Sequence, residues 1–262
     1  MSTSVRLLEE LAANAWPPVV TQVVDGWLLR YAFGVSRRAN SVLALANTGE
    51  AALEDRGAEV EAFYTRRGLP ARFHISPAAP EGLDAWLEAR GYRRDCPTAV
   101  QTAPLAEVLE RSRALSFEIT LAPAPDDAWF SVYNATHHRD EQDRQVRVSI
   151  MTRIGPPSVF ALLRVEGEPA AVGQGVTERG WLGLFSMATH PRFQRRGAAT
   201  ALVHALAEWG RSLGAESAYL QVMDATPIAA ACYRKLGFRT CYGYHYREAP
   251  SAPPTPRSSS TP

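Results

Sequence analysis

The segment His190-Pro191-Arg192-Phe193-Gln194-Arg195-Arg196-Gly197-Ala198-Ala199 joins a stretch that reads as a strand to one that reads as a helix. Ahead of it, residues 180–189 (GWLGLFSMAT) are rich in bulky and aromatic side chains, as a strand would be. Behind it, residues 198–213 set Leu202, Val203, Leu206 and Trp209 at helical spacing, and Gly214 follows as a C-cap residue. A strand that feeds a helix through a loop of small residues exposes backbone N–H groups at the positive end of the helix dipole, which suits a pyrophosphate. Gly197 and Ala199 keep side chains out of the way there, and Arg192, Arg195 and Arg196 add positive charge.

Working outward, residues 159–165 and 169–177 read as two more strands, 217–222 as a fourth and 227–236 as a second helix, with Pro227 suited to its first turn and Gly237 just past its end. The earlier half carries a faint copy of this arrangement. Gly68 leads into a strand-like segment, 71–76, and then 83–92 (LDAWLEARGY), as Gly214 leads into 217–222 and then 229–238 (AAACYRKLGF). The interval from Gly68 to Gly91 is 23 residues, as is that from Gly214 to Gly237, and each second glycine precedes an aromatic, Tyr92 or Phe238. Farther upstream, Gly26-Trp27-Leu28 parallels Gly180-Trp181-Leu182, and Arg37-Arg38-Ala39 is set against Arg195-Arg196-Gly197. These pairings predict an internal duplication with a boundary near residues 112–117, followed by a disordered Pro/Ser/Thr-rich tail at 249–262.

Composition removes several function classes. The chain has 262 residues, 46% hydrophobic and 21% charged, enough for a substantial core, and no apolar run long enough to cross a bilayer. Lys plus Arg number 28 against 27 Asp plus Glu, a formal charge of +1, so there is no global field to attract nucleic acid. Cys96, Cys232 and Cys241 lack metal or disulfide spacing, and no metal site is expected. Charged residues in the N-terminal segment, MSTSVRLLEELAANAW, make it read as a helix and not a secretory signal, so a cytoplasmic location is expected.

Taken together, these residues resemble the GCN5-related N-acetyltransferases, the GNAT superfamily. Their acetyl-CoA loop, Gln/Arg-x-x-Gly-x-Gly/Ala, is matched by Gln194, Gly197 and Ala199; their later Tyr-x-x-x-Gly-Phe is matched by Tyr233 to Phe238; and Thr189-His190-Pro191 stands for a Val-x-Pro-like strand end. Thr226 stands where relatives carry an Asn early in the last helix. The match covers residues 118–246 well and the first half only as a worn copy, in which Ala39 replaces the Gly and Leu87 replaces Tyr233.

The resemblance implies an α/β fold of two tandem GNAT-like units, each a mixed, mostly antiparallel sheet flanked by helices: a degenerate unit at 1–112, structural or substrate-shaping, and a catalytic one at 117–248. It implies acetyl-CoA as co-substrate, held by Met187, Ala188, Thr189, Gln194, Arg195, Arg196, Gly197, Ala198, Ala199, Thr200 and Thr226, with the strand at 185–189 splayed from its neighbour and a backbone N–H near Met187 or Ala188 polarising the thioester. Tyr233 is then the general acid toward the leaving thiolate. No Glu lies on residues 183–189 where many relatives place a base, which turns attention to His137, His138, Asp140 and Glu141 after the first helix of the second half; the same cluster also suits a solvated loop. Cys232 reads as a small buried residue. The expected acceptor is a primary amine of a small molecule, with a protein or peptide acceptor, or a non-catalytic acyl-CoA sensor, as alternatives. Neither nucleic acid nor membrane is an expected partner, and the chain is expected to be a monomer or homodimer.

Overall fold

A computed structural model describes residues 2–45, 52–112, 116–137 and 141–250. The chain begins with α1 (Ser2–Asn14), β1 (Val20–Val24), β2 (Trp27–Tyr31) and β3 (Val42–Leu43), and continues through α2 (Leu53–Thr65), β4 (Arg72–Ile75), α3 (Leu83–Ala89) and β5 (Arg93–Pro104). A connecting helix α4 (Leu105–Arg111) leads to β6 (Glu118–Ala122), α5 (Asp127–His137), α6 (Glu141–Met151), β7 (Ser158–Val165), β8 (Glu168–Glu178) and β9 (Trp181–Thr189). The last elements are α7 (Ala198–Ser212), β10 (Ser217–Met223), α8 (Pro227–Lys235) and β11 (Arg239–Glu248). The order of strands and helices read from the second half of the sequence is the order found.

All these strands join one 11-stranded sheet, in the order β1-β2-β3-β4-β11-β5-β10-β9-β8-β7-β6. Pairing is antiparallel except for β3 with β4 and β9 with β10. The final strand of each half crosses over: β5 follows α3 yet pairs with β10, and β11 follows α8 yet pairs with β4. β5 and β11 pair with each other at the centre, so the sheet reads outward from them as two arms with the same sequence of neighbours. Each arm's helix after the parallel strand, α2 or α7, and the one after the next strand, α3 or α8, also correspond.

The four glycines at equal spacing share one device. Gly68, Gly91, Gly214 and Gly237 all have positive φ, and the following N–H reaches back five residues: Leu69 to Tyr64 O, Tyr92 to Leu87 O, Ala215 to Gly210 O and Phe238 to Tyr233 O, at 3.0–3.1 Å. This is the left-handed C-cap that satisfies the last carbonyls of a helix. The upstream pairing of the two halves does not hold. The strand occupying the place of β9 in the first arm is β3, and Arg37-Arg38-Ala39 precede it, whereas Arg195-Arg196-Gly197 follow β9. The reason is local degeneracy: Asp25-Gly26, Glu166-Gly167 and Arg179-Gly180 make three two-residue hairpin turns with nearly the same φ values, so turn residues alone do not say which hairpin matches which.

Period-two alternation places the core on both faces of the second arm. In β7, Val159, Ala161 and Leu163 pack toward Leu202, Val203 and Leu206 of α7, while Phe160 and Leu162 pack toward Trp129, Phe130 and Ile150 of α5 and α6. In the first arm, Trp27, Leu29, Val42 and Phe73 pack with Phe63 and Tyr64 of α2 and Leu83 and Leu87 of α3. α1 covers the central strands through Val5, Leu8, Leu11 and Ala12 against Tyr219, Tyr242, Tyr244 and Tyr246. Beneath it, buried Glu9 accepts a hydrogen bond from the Tyr242 hydroxyl (2.8 Å) and lies 2.7 Å from His74 Nε2, tying the N-terminal helix to β4 and β11 at once. Residues 113–115, in the expected boundary, and 251–262, most of the expected tail, lie outside the described residues. Ala249 is anchored by a hydrogen bond from its N–H to Ala71 O (2.8 Å).

Candidate active site

The parallel pair β9 and β10 is in register only from Trp181/Ser217 to Leu184/Leu220, and beyond this both strands continue without pairing to each other. The divergence coincides with an irregularity in β9: Ser186 has φ +52, and the register against β8 slips between Val172 and Gln174. A bulge of this kind increases local twist and carries the strand away from its neighbour. Gly173 on β8 makes room for it, since a Cβ there would lie 2.5 Å from Met187 Sδ. The expected splay at residues 185–189 is therefore present. It leaves one edge of β9 without a strand partner among the described residues, at the carboxyl end of a parallel pair where open α/β sheets bind ligands.

The loop after β9 is shaped for an anion. His190 Nδ1 accepts from the Arg192 N–H (3.3 Å), starting a short 3-10 turn at Pro191–Phe193, and the Gln194 side chain donates to Thr189 O (3.4 Å). Arg195 and Gly197 then take left-handed backbone, φ +63 and +84, with Gly197 as the N-cap of α7. The first backbone bond into the helix runs from the Ala201 N–H to Gly197 O (3.0 Å), and the N–H groups of residues 195–200 meet no acceptor among the described residues. Arg195 and Arg196 are exposed and form no ion pair among the described residues, whereas Arg192 is 3.2 Å from Glu168. Orphan donors, a helix dipole and two guanidinium groups without a carboxylate partner among the described residues fit a pyrophosphate.

Between the splayed strands opens a cavity of about 420 Å3. Its second-half lining includes Ser186, Met187, Thr226 and Tyr233; the Thr226 hydroxyl donates to Met223 O (2.7 Å), leaving its oxygen as an acceptor. The Tyr233 ring rests edge-on to Phe238, and its hydroxyl has no hydrogen-bond partner among the described residues. Burial pushes this phenol well above its usual range, with the adjacent Cys232 adding to the shift, so it holds its proton across the physiological range. Leu87, at the corresponding place before the first arm's cap, is buried in the apolar core.

The cavity also draws on the first half of the chain, through residues that the sequence did not place there. Trp16, Ser36, Arg37, Arg38, Cys96 and Thr98 line it, together with Tyr244 and Tyr246 of the crossed-over β11. Arg38 donates to Gln221 Oε1, which also accepts from the Tyr244 hydroxyl (3.2 Å), and its guanidinium lies 5.4 Å from the centre of the Phe185 ring. Tyr133 and Arg147 of α5 and α6 complete the wall, bonded to each other at 3.0 Å. Of the base candidates, Glu141 sits in the exposed first turn of α6, 3.7 Å from Arg144, and does not line the cavity. His138, Asp140 and the side chain of His137 lie outside the described residues. No group of three or more His, Cys, Asp or Glu positioned for a metal ion occurs among the described residues, nor does a helix long and apolar enough to cross a membrane.

A family model described as "probable histone acetyltransferase Rv0428c C-terminal" matches residues 2–247. The chain belongs to this acetyltransferase family. Across 244 residues it is 32% identical to the uncharacterized N-acetyltransferase YobR of Bacillus subtilis, covering 93% of this chain and 98% of that protein. The fold matches a GCN5-related N-acetyltransferase from Kribbella flavida, with a TM-score of 0.69, 13% identity and coverage of 95% and 96% of the two chains. It also matches a tandem GNAT protein from the clavulanic acid biosynthesis pathway, with a TM-score of 0.62, 13% identity and coverage of 95% and 89%. This acetyltransferase is thus an acetyl-CoA-dependent acyltransferase with the GNAT fold, and its two-armed sheet matches the tandem form of that fold.

Proposed function

We propose that this acetyltransferase moves the acetyl group of acetyl-CoA directly to a primary amine of a small molecule, that residues 117–248 form the catalytic unit, and that residues 1–112 form its acceptor-shaping partner. One observation carries the reading: the parting of β9 and β10 opens beside the donor-rich loop at 194–200, with the unpartnered Tyr233 hydroxyl in the cavity between the strands. Acetyl-CoA supplies an activated carbonyl on a thiol leaving group. The N–H groups of residues 195–200, with Arg195 and Arg196, hold its pyrophosphate, Gln194 braces the loop through Thr189 O, and Thr226 offers an acceptor. The open edge at Met187, Ala188 and Thr189 pairs with an extended ligand as a strand would, and an N–H there polarises the carbonyl, an effect of about 2 to 4 kcal/mol where such donors have been removed.

In the transfer a C–N bond forms as the C–S bond breaks. The thiolate takes its proton from Tyr233, and the proton lost by the amine passes through water to the α5–α6 junction, to His137 or His138, with Glu141 the remaining candidate. A cavity of about 420 Å3 walled on one side by residues of the first half supports a small acceptor over an extended peptide. The family's description as a probable histone acetyltransferase supports the alternative of a protein acceptor. Acetylation of an amine panel, read by mass spectrometry, separates these readings: acetylated small amines support the proposal, acetylated peptides alone support the alternative, and tight acetyl-CoA binding with no product from either supports a sensor.

A further inference from the structure

The acceptor cavity is basic. Its lining contains three guanidinium groups, those of Arg37, Arg38 and Arg147, and among the described residues no carboxylate. Two of the three charges are already met from behind the wall: Arg37 by Asp95 at 2.7 Å and Arg147 by Asp143 at 2.5 Å. Arg38 differs. No carboxylate among the described residues pairs with it; it gives one N–H to the neutral Gln221 side chain and sets its face over the Phe185 ring. A guanidinium has five N–H donors in a fixed fork, and Arg38 spends its own only on neutral groups, the Gln221 amide oxygen and the Tyr244 hydroxyl. The cavity wall therefore carries one uncompensated positive charge.

Two contacts of Arg38, Phe185 on β9 and Gln221 on β10, lie just past the last paired residues, Leu184 and Leu220, so the charge stands at the opening of the splay. An acceptor whose far end is a second ammonium group, as in a diamine, meets repulsion there. One whose far end is a carboxylate meets the planar fork that matches it with two parallel N–H donors.

We propose, resting on the acetyl-transfer reading above, that the acceptor is a primary amine bearing a carboxylate, and that Arg38 from the first arm binds that carboxylate across the cavity. Arg38 is then a specificity-determining residue. The first arm contributes it from the β2–β3 connection, which gives the degenerate unit a role in choosing the substrate.

The test compares matched acceptors that differ only at the far end: 4-aminobutanoate with 4-aminobutanamide and 1,4-diaminobutane, and glycine with glycinamide, alongside a lysine-containing peptide. Thiol release from acetyl-CoA is followed, and each rate is divided by the unprotonated fraction of the amine. The expected result is that the carboxylate member of at least one series exceeds its amide and diamine by tenfold or more in kcat/KM. Arg38→Gln then erases that preference, chiefly through KM, while acetyl-CoA affinity stays within twofold. Equal or faster turnover of the amides, the diamine or the peptide overturns the proposal, as does an unchanged preference in Arg38→Gln. If that variant does not fold, the ratios in the native protein decide, together with calorimetric binding of 4-aminobutanoate to the CoA-loaded protein. Acetylation confined to neutral or cationic amines sinks this inference and leaves the acetyl-transfer reading standing; failure to bind acetyl-CoA sinks both.

Discussion

In each arm of the sheet a strand parallel to its neighbour leads into a helix, but the two lead-ins are chemically opposite. Between β9 and α7 stand Arg192, Arg195, Arg196 and Gly197. Between β3 and α2 the sequence ALANTGEAA, residues 44–52, has no basic residue, and the first turn of α2 carries Glu54 and Asp55. Acidic residues complement a helix N-terminus from within, whereas arginines beside it recruit an anion from outside. The same contrast recurs one strand later, where Tyr233 faces the cavity and Leu87 fills the core. What the arms share is turn and cap geometry, which the fold requires of both. What separates them is the chemistry at the ends of equivalent elements, so shared architecture is no guide to shared activity.

The sharpest way to break this comparison is to give the second loop an acidic character. Gly197→Glu puts a Cβ where φ is +84 and a carboxylate beside the orphan N–H groups; acetyl-CoA affinity should fall at least a hundredfold, about 2.7 kcal/mol, with the circular dichroism spectrum unchanged. Retained affinity in a titration removes the loop from the site.

An effect of comparable size, on stability, tests the seam between the arms. Glu9→Gln should cost about 3 kcal/mol in denaturant unfolding, because it replaces the buried carboxylate that meets His74 and accepts from the Tyr242 hydroxyl. Burial pushes the Glu9 carboxyl up, but His74 and Tyr242 hold it below its ordinary value of 4.5. A carboxylate lowered in the folded state stabilises it above the unfolded value and loses that effect as pH falls further. The melting-temperature gap between native protein and variant should therefore be full near neutrality and narrow below about pH 4.5; a gap that widens in acid contradicts the pairing.

Tyr233→Phe should lower turnover at least tenfold, about 1.4 kcal/mol, and leave acetyl-CoA affinity within twofold. Unchanged turnover takes Tyr233 out of the chemistry and removes the contrast with Leu87. The smallest effect tests what the arms have in common. Gly91→Ala and Gly214→Ala each introduce a Cβ that meets nothing within 4 Å, at φ +79 and +82, so each should cost about 1 kcal/mol through backbone strain alone, with turnover unaffected. Unequal costs would mean that the two caps are not equivalent.

The second arm was legible in the sequence because its signals are local: alternation in β7, helical spacing in α7, Pro227 at the start of α8, and glycine caps. The loop was legible for the same reason, since Gln194, Gly197 and Ala199 are close in sequence. The exchange of β5 and β11 was not. Each of these strands follows a helix–glycine–aromatic ending, and nothing in either one's own residues says which arm it pairs with. Arg38 was misread for a related reason. Set beside Arg195 and Arg196 as part of a worn loop, it instead precedes β3, and only the closing of the sheet carries it to Gln221, 183 residues away along the chain. Cavity residues assembled from Trp16 to Tyr246 carry no local pattern.

The central claim is that one arm holds acetyl-CoA and the other does not. Calorimetric titration of the native protein with acetyl-CoA tests it most directly: a single site per chain, abolished by Gly197→Glu, is the predicted result. Two sites per chain, or one that survives Gly197→Glu, would contradict it.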